Sequence, residues 1–135
     1  MRAIDTNVLV RALVRDDPAQ TARAESLLSA GPVFIPVTVI LELEWVLRSR
    51  YGFAPKLVAQ AIEKVASLEN VVVGERDAVL LAAAKASQAW DFADALHHAL
   101  SLGCDDFVTF DADLAKRAKR LATSGVKVSP AVIKL

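Results

Sequence analysis

The sequence predicts an α/β fold, a single three-layer α/β/α domain over residues 1–135 with helices flanking a central, mainly parallel sheet. Three observations predict it. Short apolar runs alternate with longer stretches of helical periodicity almost from end to end, the order that gives a parallel sheet with helical crossovers. The chain has 135 residues, enough for one domain with a sizeable core. Its hydrophobic share is 54% but its aromatic share only 6%, so the core is aliphatic, as suits helices on a buried sheet.

Each element follows from local chemistry. Ala3-Ile4 is a short buried strand ending at Asp5, and Thr6-Asn7 then caps a helix beginning at Val8. Pro18 opens a second helix that runs from about Ala19 to Ser29 and stops at Gly31-Pro32. Val33-Phe34-Ile35 is a strand closed by Pro36. Thr38 is the expected cap of a helix from Val39 to about Ser49. Leu57, Val58, Ala61, Ile62 and Val65 have helical spacing within Lys56–Leu68. Val71-Val72-Val73 is a strand, Arg76–Trp90 an Ala-rich helix, and Asp91–Leu102 another that ends at Gly103. Phe107–Phe110 is a strand, Asp111 to about Thr123 a helix, and Val126-Lys127-Val128 the expected last strand. The tail Ala131–Leu135 is apolar and packs on the domain or stays loose. The apolar helices also offer surface for a second subunit or a partner.

The totals exclude several classes. With 16 basic and 16 acidic residues, bulk charge gives no argument for nucleic acid, and any electrostatic case rests on where the charges sit. A lone cysteine, Cys104, rules out an internal disulfide and a thiolate metal cluster. It precedes an apolar run and reads as a small buried filler. Met1-Arg2-Ala3-Ile4 runs straight into an acid, unlike a secretory leader. No apolar run is long enough to cross a membrane. A cytoplasmic location is the expectation.

The candidate chemistry is acidic. Asp5 follows the first strand and Asp111 the fourth, at the strand ends where open α/β sheets bind ligands. Each also precedes a helix, where Asp is a favoured cap. Glu44 has Arg48 four residues on, an ordinary surface ion pair. Glu42 instead borders Val39, Trp45 and Val46 with no local cation. A carboxylate there needs a partner or a metal, or is simply an acid at the edge of a buried face. Asp91 and Asp94 fit the cap and third positions of one helix. Asp113 stands in the first turn of the helix that Asp111 opens. His97 and His98 point about 100° apart on a helix and do not readily share an ion. They read as core or surface residues, with Asp94 within reach of His98 at i+4.

Four ordered blocks carry a resemblance: Asp5-Thr6-Asn7-Val8-Leu9-Val10-Arg11, Leu41–Arg48 with Glu42, Asp91-Phe92-Ala93-Asp94-Ala95-Leu96, and Thr109-Phe110-Asp111. Together they resemble PIN-domain ribonucleases, and more narrowly the VapC toxins of toxin–antitoxin pairs. The resemblance spans essentially the whole chain. It implies a central acid set of Asp5, Glu42, Asp94 and Asp111, supported by Thr6, Asn7 and Thr109. Asp91 and Asp113 would be secondary acids, binding directly or through water. It further implies a homodimer, a cognate antitoxin that holds the enzyme inactive, transfer or ribosomal RNA as substrate, and products carrying a 5′-phosphate and a 3′-hydroxyl.

The chemistry agrees with that implication. Clustered carboxylates repel each other and repel phosphate. A hard divalent cation, Mg²⁺ or else Mn²⁺, removes both objections, and the expected reaction is attack of a metal-activated water in line with the leaving oxygen. Phosphate contact needs cations outside the acids. Lys116, Lys119 and Arg120 share one helix face, and Arg11, Arg15, Arg48 and Arg50 are further rim candidates. Cations near a helix C-terminus are also simply favourable. Two other classes stay open: a metal-dependent phosphatase, for which the second Asp of the opening motif is missing, and a non-catalytic PIN-like RNA-binding or assembly module. A flap-type DNA nuclease would need a DNA-tracking module that is not visible here.

Overall fold

A computed structural model describes residues 1–135. In chain order the elements are β1 (Arg2–Ala3), α1 (Thr6–Val14), α2 (Pro18–Ser29), β2 (Val33–Ile35), α3 (Val37–Ser49), α4 (Pro55–Ala66), β3 (Val71–Val73), α5 (Arg76–Ala86), α6 (Phe92–Ala99), β4 (Asp106–Thr109), α7 (Ala112–Thr123) and β5 (Ala131–Lys134). The fold is α/β as predicted, and every strand pairing is parallel. The strands form two groups, β1-β2-β3 and β4-β5.

The core is aliphatic. Ile35, Ile40, Leu43, Ile62 and Val79 are completely buried, each contributing about 1.5–3 kcal/mol relative to exposure. In α4 the buried residues Val58, Ala59, Ile62, Val65 and Ala66 form one stripe, the pattern of a helix with one face on the core. The small residues of α5, Ala78, Ala82, Ala83 and Ala86, are buried and let α5 pack on α4 and α6. Gly74 matters at the end of β3. A Cβ there would stand 3.2 Å from the Phe34 ring and 3.4 Å from the Val37 nitrogen, so a side chain fits only if the Phe34 ring gives by a few tenths of an ångström.

Several boundaries differ from the sequence reading, each for a local reason. Asp5, not Thr6-Asn7, caps α1, and the helix begins at Thr6. Thr38 caps nothing. The Pro36 carbonyl takes the first α3 bonds, from Val39 at 3.0 Å and Ile40 at 3.3 Å, which leaves Thr38 already inside the helix. α5 stops at Ala86 rather than Trp90 because Ala89 turns to φ 70°, and buried Trp90 drops back onto the core. α6 ends at Ala99 rather than Leu102, in a turn closed by Cys104 N–H to Ser101 O.

The last strand is the largest correction. Val126–Val128 is not a strand, because Val126 N–H bonds back to Leu121 O and finishes α7. The tail pairs instead, from Asp106 opposite Ala131 to Thr109 opposite Lys134. Cys104 is exposed, not a core filler. No helix is long and apolar enough to cross a membrane.

Candidate active site

Three acids cap helices, which fixes one oxygen of each. Asp5 Oδ1 accepts Thr6 N–H at 2.8 Å, Asp91 Oδ1 accepts Asp94 N–H at 2.9 Å, and Asp111 Oδ1 accepts the N–H groups of Asp113 and Leu114 at 2.8 and 3.2 Å. Capping is therefore a real role of these residues. It holds each carboxylate at a helix N-terminus, where the dipole favours negative charge, and leaves the second oxygen free of these bonds.

The acids fall into two connected groups. In the first, buried Thr6 donates its hydroxyl to Glu42 Oε1, joining the start of α1 to α3. Glu42 is itself exposed, so it reaches the site from the rim rather than from within the apolar face. In the second group, half-buried Asp94 lies within electrostatic reach of Asp91 and Asp111. Burial pushes the Asp94 carboxyl above the usual carboxylate range, the charges of Asp91 and then Asp111 push it the same way, and His97 and Arg117 pull it back. Its carboxylate takes part in no internal hydrogen bond; only its N–H is engaged, by Asp91. Thr109 supports Asp111 through its hydroxyl oxygen, which accepts Asp111 N–H at 3.0 Å. Asp113 and Asn7 are exposed near these caps and make no side-chain bond.

An all-oxygen donor set of this kind suits Mg²⁺ or Mn²⁺. Asp94 fits such an ion because, without it, burial and the charges of Asp91 and Asp111 disfavour its ionised form. No three acids, however, stand close enough in this conformation to enclose an ion. His98 does not bond Asp94. It is buried, facing Lys85 and the Pro130 carbonyl, and His97 is exposed. A hollow of about 670 Å³ beside Met1, Arg2 and Arg23 contains none of the acids.

The cations sort clearly. Arg11 is paired with Asp16 at 3.0 Å and also bonds Gln20 and Tyr51, Arg15 is paired with Glu25, and Arg48 with Glu44 at 3.0 Å. Arg50 lies over the Trp45 ring. These four are engaged within the chain rather than free at a rim. Lys116, Lys119 and Arg120 line a shared depression on α7 and take part in none of the ion pairs. Arg117, half-buried in the same basic stretch of α7 but off the Lys116–Arg120 face, has its charge within reach of Asp94.

Glu44 is buried at 5% exposure, not solvated. Arg48, which binds it, also feels the charge of Asp91, so the pair braces α3 beside the cap of α6. Replacing Glu44 with Ala is expected to cost about 1–3 kcal/mol in urea denaturation. A loss below roughly 0.5 kcal/mol would mean the pair acts like an exposed one.

A family model described as the PIN domain matches residues 3–120. The chain belongs to the PIN-domain family, whose members are generally nucleases and generally use divalent metals. No curated protein matches it.

Proposed function

We propose that this PIN domain is a divalent-metal-dependent endoribonuclease and the toxin of a toxin–antitoxin pair of the VapC type. The observation that carries the nuclease reading is Asp94: a desolvated carboxylate with no internal hydrogen bond, flanked by the acids Asp91 and Asp111. Strain of this electrostatic kind is typical of functional sites. The toxin role rests on the four motif blocks that begin with Asp5-Thr6-Asn7.

Asp5, Asp94 and Asp111 would hold the metal, with Glu42, Asp91 and Asp113 binding directly or through water. A bound Mg²⁺ or Mn²⁺ supplies positive charge to a phosphate oxygen and acidifies a coordinated water. The chain's own residues orient the parts. Thr6 fixes Glu42, Thr109 fixes the Asp111 backbone, and the capped helices hold three carboxylates in defined rotamers. The expected partners are transfer or ribosomal RNA, a cognate antitoxin and a second copy of the chain, in the cytoplasm.

The test is incubation of the antitoxin-free protein with total RNA and Mg²⁺ or Mn²⁺, beside EDTA and Asp5→Ala controls. Discrete cleavage abolished by both controls is expected. Cleavage that survives Asp5→Ala would remove these acids from the reaction. A second reading is a non-catalytic RNA-binding or assembly module, against which the presence of all four acids argues. Folded protein that binds RNA without cutting it under any metal would establish that reading instead.

A further inference from the structure

We propose that the basic face of α7 is a phosphate track, in which Lys116, Lys119 and Arg120 hold RNA backbone phosphates flanking the acidic end of the same helix. The inference rests on the reading that this chain acts on RNA. Three observations carry it.

First, the helix is polarised along one side. Asp111 caps it and Asp113 stands in its first turn, and Lys116, Lys119, Arg120 and Thr123 follow on a continuous face. At 1.5 Å rise per residue, Lys116 and Arg120 lie about 7 and 14 Å along the axis from Asp111, which is one to a few nucleotides from the acids.

Second, the three cations have no partners. Arg11, Arg15 and Arg48 are each held by a carboxylate. Favourable placement near a helix C-terminus explains a cation there. Most other Lys and Arg of the chain are likewise outside the ion pairs; what sets these three apart is that they stand together on one face of one helix and line one depression.

Third, the cations share one shallow depression lined only by polar and charged residues. Lys116, Lys119, Arg120, Thr123 and Ser124 line a depression of about 470 Å³ with no hydrophobic residue. The Thr123 and Ser124 hydroxyls donate to the Lys119 and Leu121 carbonyls, so the ligand must be bound by the cations themselves. An open depression edged by three cations, with walls made of their own aliphatic stems, suits the charge contacts of a phosphate backbone.

The experiment measures binding of a labelled single-stranded RNA of mixed sequence in EDTA, where cleavage does not contribute, across a range of salt. The variant is Lys116→Gln/Lys119→Gln/Arg120→Gln. The control is Lys56→Gln/Lys64→Gln/Lys127→Gln, three exposed cations elsewhere. Arg117 is left intact because it neighbours Asp94. The α7 variant is expected to bind about 10- to 100-fold more weakly, with the log–log salt slope reduced by about 2, near 0.7 per lost phosphate contact. The control is expected to keep the wild-type constant within about twofold, since bulk charge is not what binds. Wild-type affinity and slope in the α7 variant would overturn the track, and so would an equal loss in the control. Wild-type RNA binding that depends on the track, without cleavage in Mg²⁺ or Mn²⁺, would leave the track standing and overturn the nuclease reading alone.

Discussion

Replacing Asp94 with Asn is expected to lower metal-dependent RNA cleavage by about 100-fold or more while leaving the fold intact, and to raise the melting temperature in EDTA. Both effects come from one geometry. Asp94 is held half out of water at the start of α6, facing the charges of Asp91 and Asp111 and accepting no hydrogen bond. An amide in the same place keeps the shape, loses the repulsion and binds a divalent ion poorly. Removing one preorganised electrostatic contact at a reacting centre typically costs about 10²–10³ in rate. Removing a strained, unpaired charge stabilises the fold, the usual trade between activity and stability. Added Mg²⁺ should then stabilise the wild type more than Asp94→Asn, because a ligand stabilises in proportion to its binding. Circular dichroism melts with and without Mg²⁺, beside single-turnover cleavage, read all three. Full activity in Asp94→Asn would place the chemistry elsewhere. A lower melting temperature in EDTA would mean that the carboxylate is a structural group rather than a strained one.

The fold class was legible because it depends on alternation, and alternation is a local signal. Helix starts were legible to within a residue or two for the same reason: Asp5, Asp91 and Asp111 cap their helices with side chains that bond N–H groups one to three residues on. What failed depends on distant partners. Val126-Lys127-Val128 has better strand composition than much of the tail, but pairing with β4 went to Ala131–Lys134. The acids of α3 show a subtler limit. The Glu44–Arg48 pair was readable from its spacing, yet its burial was not, because residues 42 and 44 point to different sides and sequence does not say which side meets the core. The link from Thr6 to Glu42 spans 36 residues, and no local pattern announces it. The cations make the same point. Arg11 and Lys116 look alike in sequence, but only tertiary structure puts Asp16, Gln20 and Tyr51 around Arg11 and leaves Lys116 unpaired.

His98 is where the fold depends most on a residue that sequence left undecided. Its ring is 2% exposed. Nε2 lies 2.7 Å from the Pro130 carbonyl oxygen and Nδ1 lies 3.2 Å from Lys85 Nζ. A carbonyl only accepts, so Nε2 carries the proton and Nδ1 accepts from the lysine ammonium; the histidine is neutral. Phe107 meets the ring edge-on at 5.6 Å, so one side chain joins α5, α6, β4 and the segment that leads into β5. Burial pushes its pKa below 6.5, the Pro130 carbonyl works against that shift, and the Lys85 charge adds to it. A depressed histidine lets the unfolded chain take up a proton first as pH falls below 6.5. Stability from the neutral ring is therefore complete above that value and lost progressively below it, by at most about 1.4 kcal/mol per pH unit. His98→Ala is expected to cost about 3 kcal/mol at pH 7.5, from the cavity and the orphaned Pro130 carbonyl. His98→Gln, which keeps a donor near that oxygen, is expected to cost about half as much. In both variants the difference from wild type should shrink between pH 7 and pH 5, because the wild type alone carries the penalty of keeping this histidine neutral. Urea titrations at three pH values measure it. A difference that stays constant across that range would show that His98 contributes packing but no proton linkage.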